Sequence, residues 1–255
     1  MPPVKEKAVY DDVQLELHQS LGKTLYNMFE KVITLKQIMR QQGHDVQQET
    51  FRDILTKIKD GGFSQDEWHI LNNRNYDKLS KEEQEIFDKD SIMLCSRNKN
   101  LIPFNIQRTQ AVGEPIAVIK AVNEPKSAKS VKASSAGGIL NSTILCKGSR
   151  IMLKSNLWSE KGLTNGAQGT VVDIIYQPGN APPNLPDLVL VKVDQYTGPG
   201  FLDMDHVVPI VPKRMHWFSR GKDYFRTGLP LIPAYAISIH NSQGMTLERV
   251  ILGIV

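Results

Sequence analysis

Between Arg150 and Pro212 the chain carries four Val/Ile-rich runs, RIMLKSN, TVVDIIY, LVLVKV and HVVPIVP. They are separated by Asn165-Gly166, by the Pro-rich QPGNAPPNLPD and by TGPG. Short apolar runs with that punctuation predict a small antiparallel sheet or barrel and leave too little chain for a large sandwich. The residues before them read differently. Phe51, Ile54, Leu55 and Ile58 fall at i, i+3, i+4 and i+7, one apolar helical stripe, and Gly61 and Gly62 stop it. Ser64 with Glu67 and Ser80 with Glu83 have capping-box spacing and predict short helices that carry Trp68, Leu71 and Phe87 inward. Ile92 to Cys95 predicts a buried strand, and Leu101 to Gln110 a helix. NEPKSAKSVKASSAGG, with Lys126, Lys129 and Lys132, lacks periodicity and predicts a mobile basic connector. LIPAYAISIH and RVILGIV predict two further apolar strands, the second running to the last residue. That ending reads as a fold cut before its sheet is finished. The fold class expected is α/β.

Composition removes several classes. With 40% hydrophobic and 23% charged residues over 255, disorder along the whole length is excluded. No apolar run approaches a membrane span, and MPPVKEKAVYDD lacks the apolar core of a signal peptide, so the chain is expected to be soluble and intracellular. Cys95 and Cys146 form no CxxC pair, and His18, His44, His69, His206, His216 and His240 are scattered. Neither a disulfide framework nor a zinc site is expected, and no metal ligand is assigned. The formal charge of +4 permits a polyanionic partner without requiring one.

Gly22-Lys23-Thr24 has the last three residues of a phosphate loop, but position 17 is leucine and no strand leads into it. Asp11-Asp12 follows too short an apolar run to be a magnesium-holding pair. GxSxG, HExxH and GxGxxG are all missing, so no self-sufficient catalytic centre is visible. What remains is His240-Asn241-Ser242-Gln243-Gly244 between two apolar strands. Such a turn puts an imidazole, an amide and bare N–H groups at the carboxyl edge of a sheet, where open α/β sheets bind ligands. On its own such a turn is more often structural than functional, with the glycine there for its backbone angle.

Taken in order, MPPV, TLYNMFEKVITLKQIMRQ, FRDILTKIKDGG, IMLCSRNKNLIPFN, GSRIMLKSNLWSEKGLTNGAQGTVVDI, VKVDQYTGPG, VVPIVP and LPLIPAYAISIHNSQGMTLERVIL resemble the C-terminal half of Pif-type DNA helicases, relatives of RecD in superfamily one. The resemblance covers essentially the whole chain. It implies the second RecA-like domain of an ATP-driven motor, residues 1–120 and 223–255, interrupted by a connector at 121–144 and an inserted Src-homology-three-like β-barrel at 145–222. It also implies a parent enzyme that hydrolyses ATP with Mg2+, moves along single-stranded DNA and unwinds duplex junctions, in a nucleus or mitochondrion.

Residue by residue, Arg40 matches the family arginine that approaches the terminal phosphate of ATP. Gln243 and Gly244 match positions that face the nucleotide, and Ser238, His240, Asn241 and Ser242 match the loop that touches the DNA backbone. Most members carry Lys where this chain has Asn241. Within the barrel, Lys147, Arg150, Lys154 and Lys161 with Trp158, Trp217 and Phe218 have the basic and aromatic character of a single-strand binder. Of these, Lys154 and Trp158 are expected to contact DNA; the alternative is that the aromatics pack the barrel and the lysines solvate its outside.

MPPV matches the tail of a motif that follows the family's ATP-binding elements, and Val255 precedes its final motif. The resemblance therefore implies a half that lacks its N-terminal ATP-binding partner, binds no cofactor alone and is inactive alone. The rival reading is a stand-alone single-stranded nucleic-acid-binding module or a degenerate helicase remnant of a mobile element.

Overall fold

The computed structural model describes residues 17–34, 43, 45–202, 204–219, 221–243, 245, 247 and 249–253. The chain divides into two compact units, residues 1–79 and 80–255.

In the first unit α1 is Leu17–Asn27, α2 Val46–Asp60 and α3 Gln65–Asn72. Gly22, Lys23 and Thr24 lie in the body of α1, where the Thr24 hydroxyl donates to the Ser20 carbonyl at 3.0 Å. The sequence GKT is a helical segment here, with no loop to hold phosphate. Asp45 caps α2 by accepting from the Gln48 amide, and Gly61 ends it with φ of 75°. The left-handed angle costs glycine nothing, which is why the helix stops there. The capping box expected at Ser64 and Glu67 is formed. Trp68, expected inward, is 53% exposed, while Glu67 is buried and Leu71 half-buried. Glu67 is drawn in by the Ser64 amide and the Lys57 ammonium, so the next residue along the helix turns outward.

In the second unit α4 is Lys81–Asp90, opened by the Ser80–Glu83 capping box, with Phe87 half-buried. It leads into β1, Ile92–Cys95, and then α5, Asn98–Ala111. The later strands are β2 Ala117–Lys120, β3 Val122–Glu124, β4 Ser142–Leu145, β5 Arg150–Leu153, β6 Gln168–Ile175, β7 Leu188–Val193, β8 Val207–Ile210, β9 Lys213–Ser219, β10 Lys222–Gly228, β11 Leu231–Pro233, β12 Ala236–Ser238 and β13 Val250–Gly253. The fold is mixed α/β.

β12, β1 and β13 form a parallel sheet with β1 in the centre, Met93 opposite both Ala236 and Ile251. The run expected as one strand, LIPAYAISIH, is two. β11 pairs antiparallel with β5, and after Ala234-Tyr235 the chain enters the parallel sheet as β12. Asn105 of α5 makes the break, because its side-chain oxygen accepts the Tyr235 and Ala236 amides and leaves them unable to continue the first ladder.

β11, β5, β6, β7 and β8 form the antiparallel sheet that the Val/Ile runs predict, around Leu145, Ile151, Leu153, Val189, Val191 and Leu231. The expected barrel is not seen: among the described residues this sheet stays open. After Ile210 the chain passes to β9, which pairs with β10 in a second sheet completed by β3. A strand engaged there does not close the first sheet.

The segment expected as a flexible connector is packed. It contains 3-10 turns at Lys126–Ser130 and Ala133–Ala136, with Ala128, Ala136 and Ile139 fully buried. Arg226 of β10, itself 0% exposed, donates to the carbonyls of Ala128, Val131 and Ile139 and to the Asn123 side chain, at 2.8 to 2.9 Å. A composition that looks like linker is held from beneath by a residue about a hundred positions away.

Candidate nucleic-acid interface

β12 ends at Ser238, and the chain turns away from the carboxyl edge of the parallel sheet through residues 239–243. The Ile239 amide still bonds to the Cys95 carbonyl, so the turn begins beside the end of the central strand. Ser238 is only 8% exposed, and its carbonyl accepts from the amides of Asn241 and Ser242. Its hydroxyl accepts from Asn241 N–H at 3.3 Å, and the Ser242 hydroxyl donates to the Ile239 carbonyl at 2.8 Å. Both hydroxyls are used in building the turn, and the side chains it presents to solvent are those of Ile239, His240, Asn241 and Gln243, three of them polar. Of the expected set, Ser238, His240, Asn241, Ser242 and Gln243 come together on this one turn. Arg40 and Gly244 lie outside the described residues.

A cation that the sequence reading missed stands at the same edge. Arg97 follows β1 by two residues and immediately precedes α5; it is exposed and makes no side-chain capping bond. The arginine, the positive end of the α5 dipole and His240 thus share the carboxyl edge, a combination suited to an anion. The signal available in sequence was the strand-to-helix switch at Cys95-Ser96-Arg97.

Lys154 and Trp158 sit elsewhere, beyond β5. The Lys154 amide bonds to the Pro230 carbonyl, and its half-buried side chain packs over Gly138. Burial pushes its ammonium pKa down, and among the described residues it has no acidic partner. Trp158, 43% exposed, lines a groove of about 610 Å³ with Leu157, Leu163, Val211, Lys213 and Arg214. The other basic residues expected of this patch are partly spoken for. Lys147 pairs with Asp173 at 2.9 Å, and Arg150 makes a two-pronged pair with Asp194 and donates to Thr170. Trp217 stacks on Tyr224 at 5.7 Å, whereas Phe218 is exposed.

No family model matches the chain. The zebrafish (Danio rerio) ATP-dependent DNA helicase PIF1 is 32% identical over 180 residues, 68% of this chain and 25% of that protein. The chain is similar to Pif1-type ATP-dependent DNA helicases. The Campylobacter jejuni Pif1 helicase extends the match to 89% of the chain and 50% of its own length, at 26% identity. Among solved structures, a Bacteroides Pif1 helicase in complex with ADP-AlF3 and ssDNA superposes with a TM-score of 0.58, at 18% identity over 98% of this chain and 55% of that one. The fold is therefore shared with Pif1 structures, and the chain spans between a quarter and about half of the length of these Pif1 proteins.

Proposed function

We propose that residues 1–120 and 223–255 work as the second RecA-like domain of a Pif1-type, ATP-driven DNA helicase, with the β-rich region 145–222 inserted into it. The 239–243 turn then lies against the phosphate backbone of single-stranded DNA. The observation that carries this reading is the parallel sheet: it brings exposed His240 and Arg97 to one carboxyl edge, where the arginine and the α5 dipole favour an anion. Contacts of that kind position a strand without reading its bases, as a translocating motor requires. The ssDNA in the Bacteroides complex supports the choice of partner.

In this reading Arg40 meets the terminal phosphate of ATP, Gln243 and Gly244 face the nucleotide, and Lys154 and Trp158 extend the DNA surface. Residues 1–255 contain no GxxxxGK[ST], so the loop that cradles the phosphates comes from a separate ATP-binding half. Mg2+ accompanies ATP on that other half, held with the phosphates. These 255 residues by themselves do not hydrolyse ATP or unwind duplex junctions. Coupling comes from closure of the two halves on ATP, which moves the turn along the strand.

The test joins a Pif1-type ATP-binding half to this chain and measures DNA-stimulated ATP hydrolysis. Restored hydrolysis that falls by a factor of about 10³ or more on Arg40→Ala is the expected result, the scale of an arginine finger. Restored hydrolysis indifferent to Arg40→Ala would remove the motor assignment.

A further inference from the structure

The strap between β3 and β4 has features that its role as a connector does not use. From Pro125 to Asn141 it contains three lysines, four serines and no acidic residue. Lys126, Lys129 and Lys132 are all exposed, and among the described residues none makes an ion pair or a side-chain hydrogen bond. Lys126 and Lys129 lie three apart in a 3-10 turn, the spacing that stacks side chains on one side, roughly 6 Å apart along the axis. Lys132 follows at the start of the next 3-10 turn.

The backbone that displays them is built rigidly. Four hydrogen bonds from the buried Arg226 guanidinium fix the carbonyls of Ala128, Val131 and Ile139 and the side chain of Asn123. The Asn141 side chain donates to the Lys129 carbonyl at 2.7 Å, and Met215 of β9 packs on Gly137. The guanidinium also lies 5.8 Å from the centre of the Trp217 ring, and a buried cation met by carbonyls and a ring face, with no carboxylate, is costly to keep. At its far end the strap reaches Lys154, whose stem covers Gly138 and whose ammonium also has no acidic partner among the described residues. Four uncompensated cations thus follow one ordered segment, with serine hydroxyls between them.

We propose that this strap is a phosphate-backbone site for single-stranded nucleic acid, additional to the turn at 239–243, with Lys126, Lys129 and Lys132 as its cations and Arg226 as the positioning residue beneath. The proposal rests on single-stranded DNA being the partner of the chain. Ammonium and hydroxyl groups on a fixed backbone suit phosphodiester oxygens and carry no base code. The site is therefore indifferent to sequence and sensitive to salt.

The test is fluorescence anisotropy of a labelled oligothymidylate with the full chain across a salt series. It compares the unsubstituted chain, the triple variant Lys126→Gln, Lys129→Gln, Lys132→Gln, the corresponding triple Lys→Arg variant, and His240→Ala. The three lysine side chains make no ion pair or hydrogen bond among the described residues, so equal thermal midpoints are expected and are checked first. Losing three phosphate contacts should make the slope of log affinity against log salt shallower by about 2, at roughly 0.7 per contact for single strands, and the arginine variant should keep it. An unchanged slope in the glutamine variant, with binding still weakened by His240→Ala, overturns the strap and leaves the turn. No binding by the folded, unsubstituted chain at low salt overturns both.

Discussion

The side-chain amide of Asn105 stands beside Ala236 as a neighbouring strand would. Its nitrogen donates to the Ala236 carbonyl at 2.8 Å, and its oxygen accepts the amides of Ala236 at 2.9 Å and Tyr235 at 3.0 Å. β12 is an edge strand, so these bonds satisfy the backbone on its open side and lock α5 to the strand that delivers the 239–243 turn. Asn105→Ala leaves those three groups without partners, at about 1–3 kcal/mol each, so a loss of at least about 3 kcal/mol is expected. Urea unfolding followed by fluorescence measures it, and an unchanged midpoint would contradict this role.

Arg226 supports a second prediction. Arg226→Met removes four donors from buried oxygens, with an expected loss of more than about 3 kcal/mol. The variant should also free the strap, so trypsin should cleave after Lys126, Lys129 or Lys132 while the unsubstituted chain resists. Equal cleavage of both would show that the guanidinium does not hold the segment.

The Lys57–Glu67 pair gives a pH dependence in the first unit. The Lys57 ammonium, followed by the Ser64 amide and hydroxyl, lowers the Glu67 carboxyl from 4.5 to about 2, and Glu67 in turn raises Lys57 above its ordinary value of 10.5. A lowered carboxyl contributes stability that is present above pH 4.5 and lost as pH falls towards 2; a raised ammonium contributes stability present below 10.5 and lost as pH rises beyond it. Side-chain carbonyl NMR should place the Glu67 titration near 2, and Lys57→Met should shift it upward. A midpoint near 4.5 in the unsubstituted chain would show that the pair is not formed.

Trp158 forms part of a groove wall with Lys213 and Arg214. If bases stack there, Trp158→Ala should weaken single-stranded DNA binding by about 1–3 kcal/mol, and Trp158→Phe should recover most of it. Anisotropy with the two variants decides this, and equal affinities would confine Trp158 to a packing role.

Legibility in the sequence followed the range of the forces involved. The α2 stripe, both capping boxes, β1 and the Val/Ile runs could be read because their patterns are complete within a few residues. β9 and β10 mix charged, aromatic and small residues and acquire strand form only by pairing with each other and with β3. The strap looked like linker because the group that orders it, Arg226, is remote in sequence. Trp68 faces solvent, against its apolar character, because an ion pair with α2 draws Glu67 inward instead. At the interface, His240, Asn241 and Gln243 could be named from one short motif. For Arg97 the sequence offered only the strand-to-helix switch, and its place beside His240 follows from the pairing of Cys95 with Ser238.

The most direct measurement is anisotropy binding of a labelled single-stranded oligonucleotide to the purified chain at two salt concentrations, beside His240→Ala. Binding that falls with salt and is weakened roughly tenfold or more by the substitution is the expected result, the scale of one hydrogen bond to a charged group. Affinity unchanged by His240→Ala in a folded chain would contradict the placing of DNA on this turn.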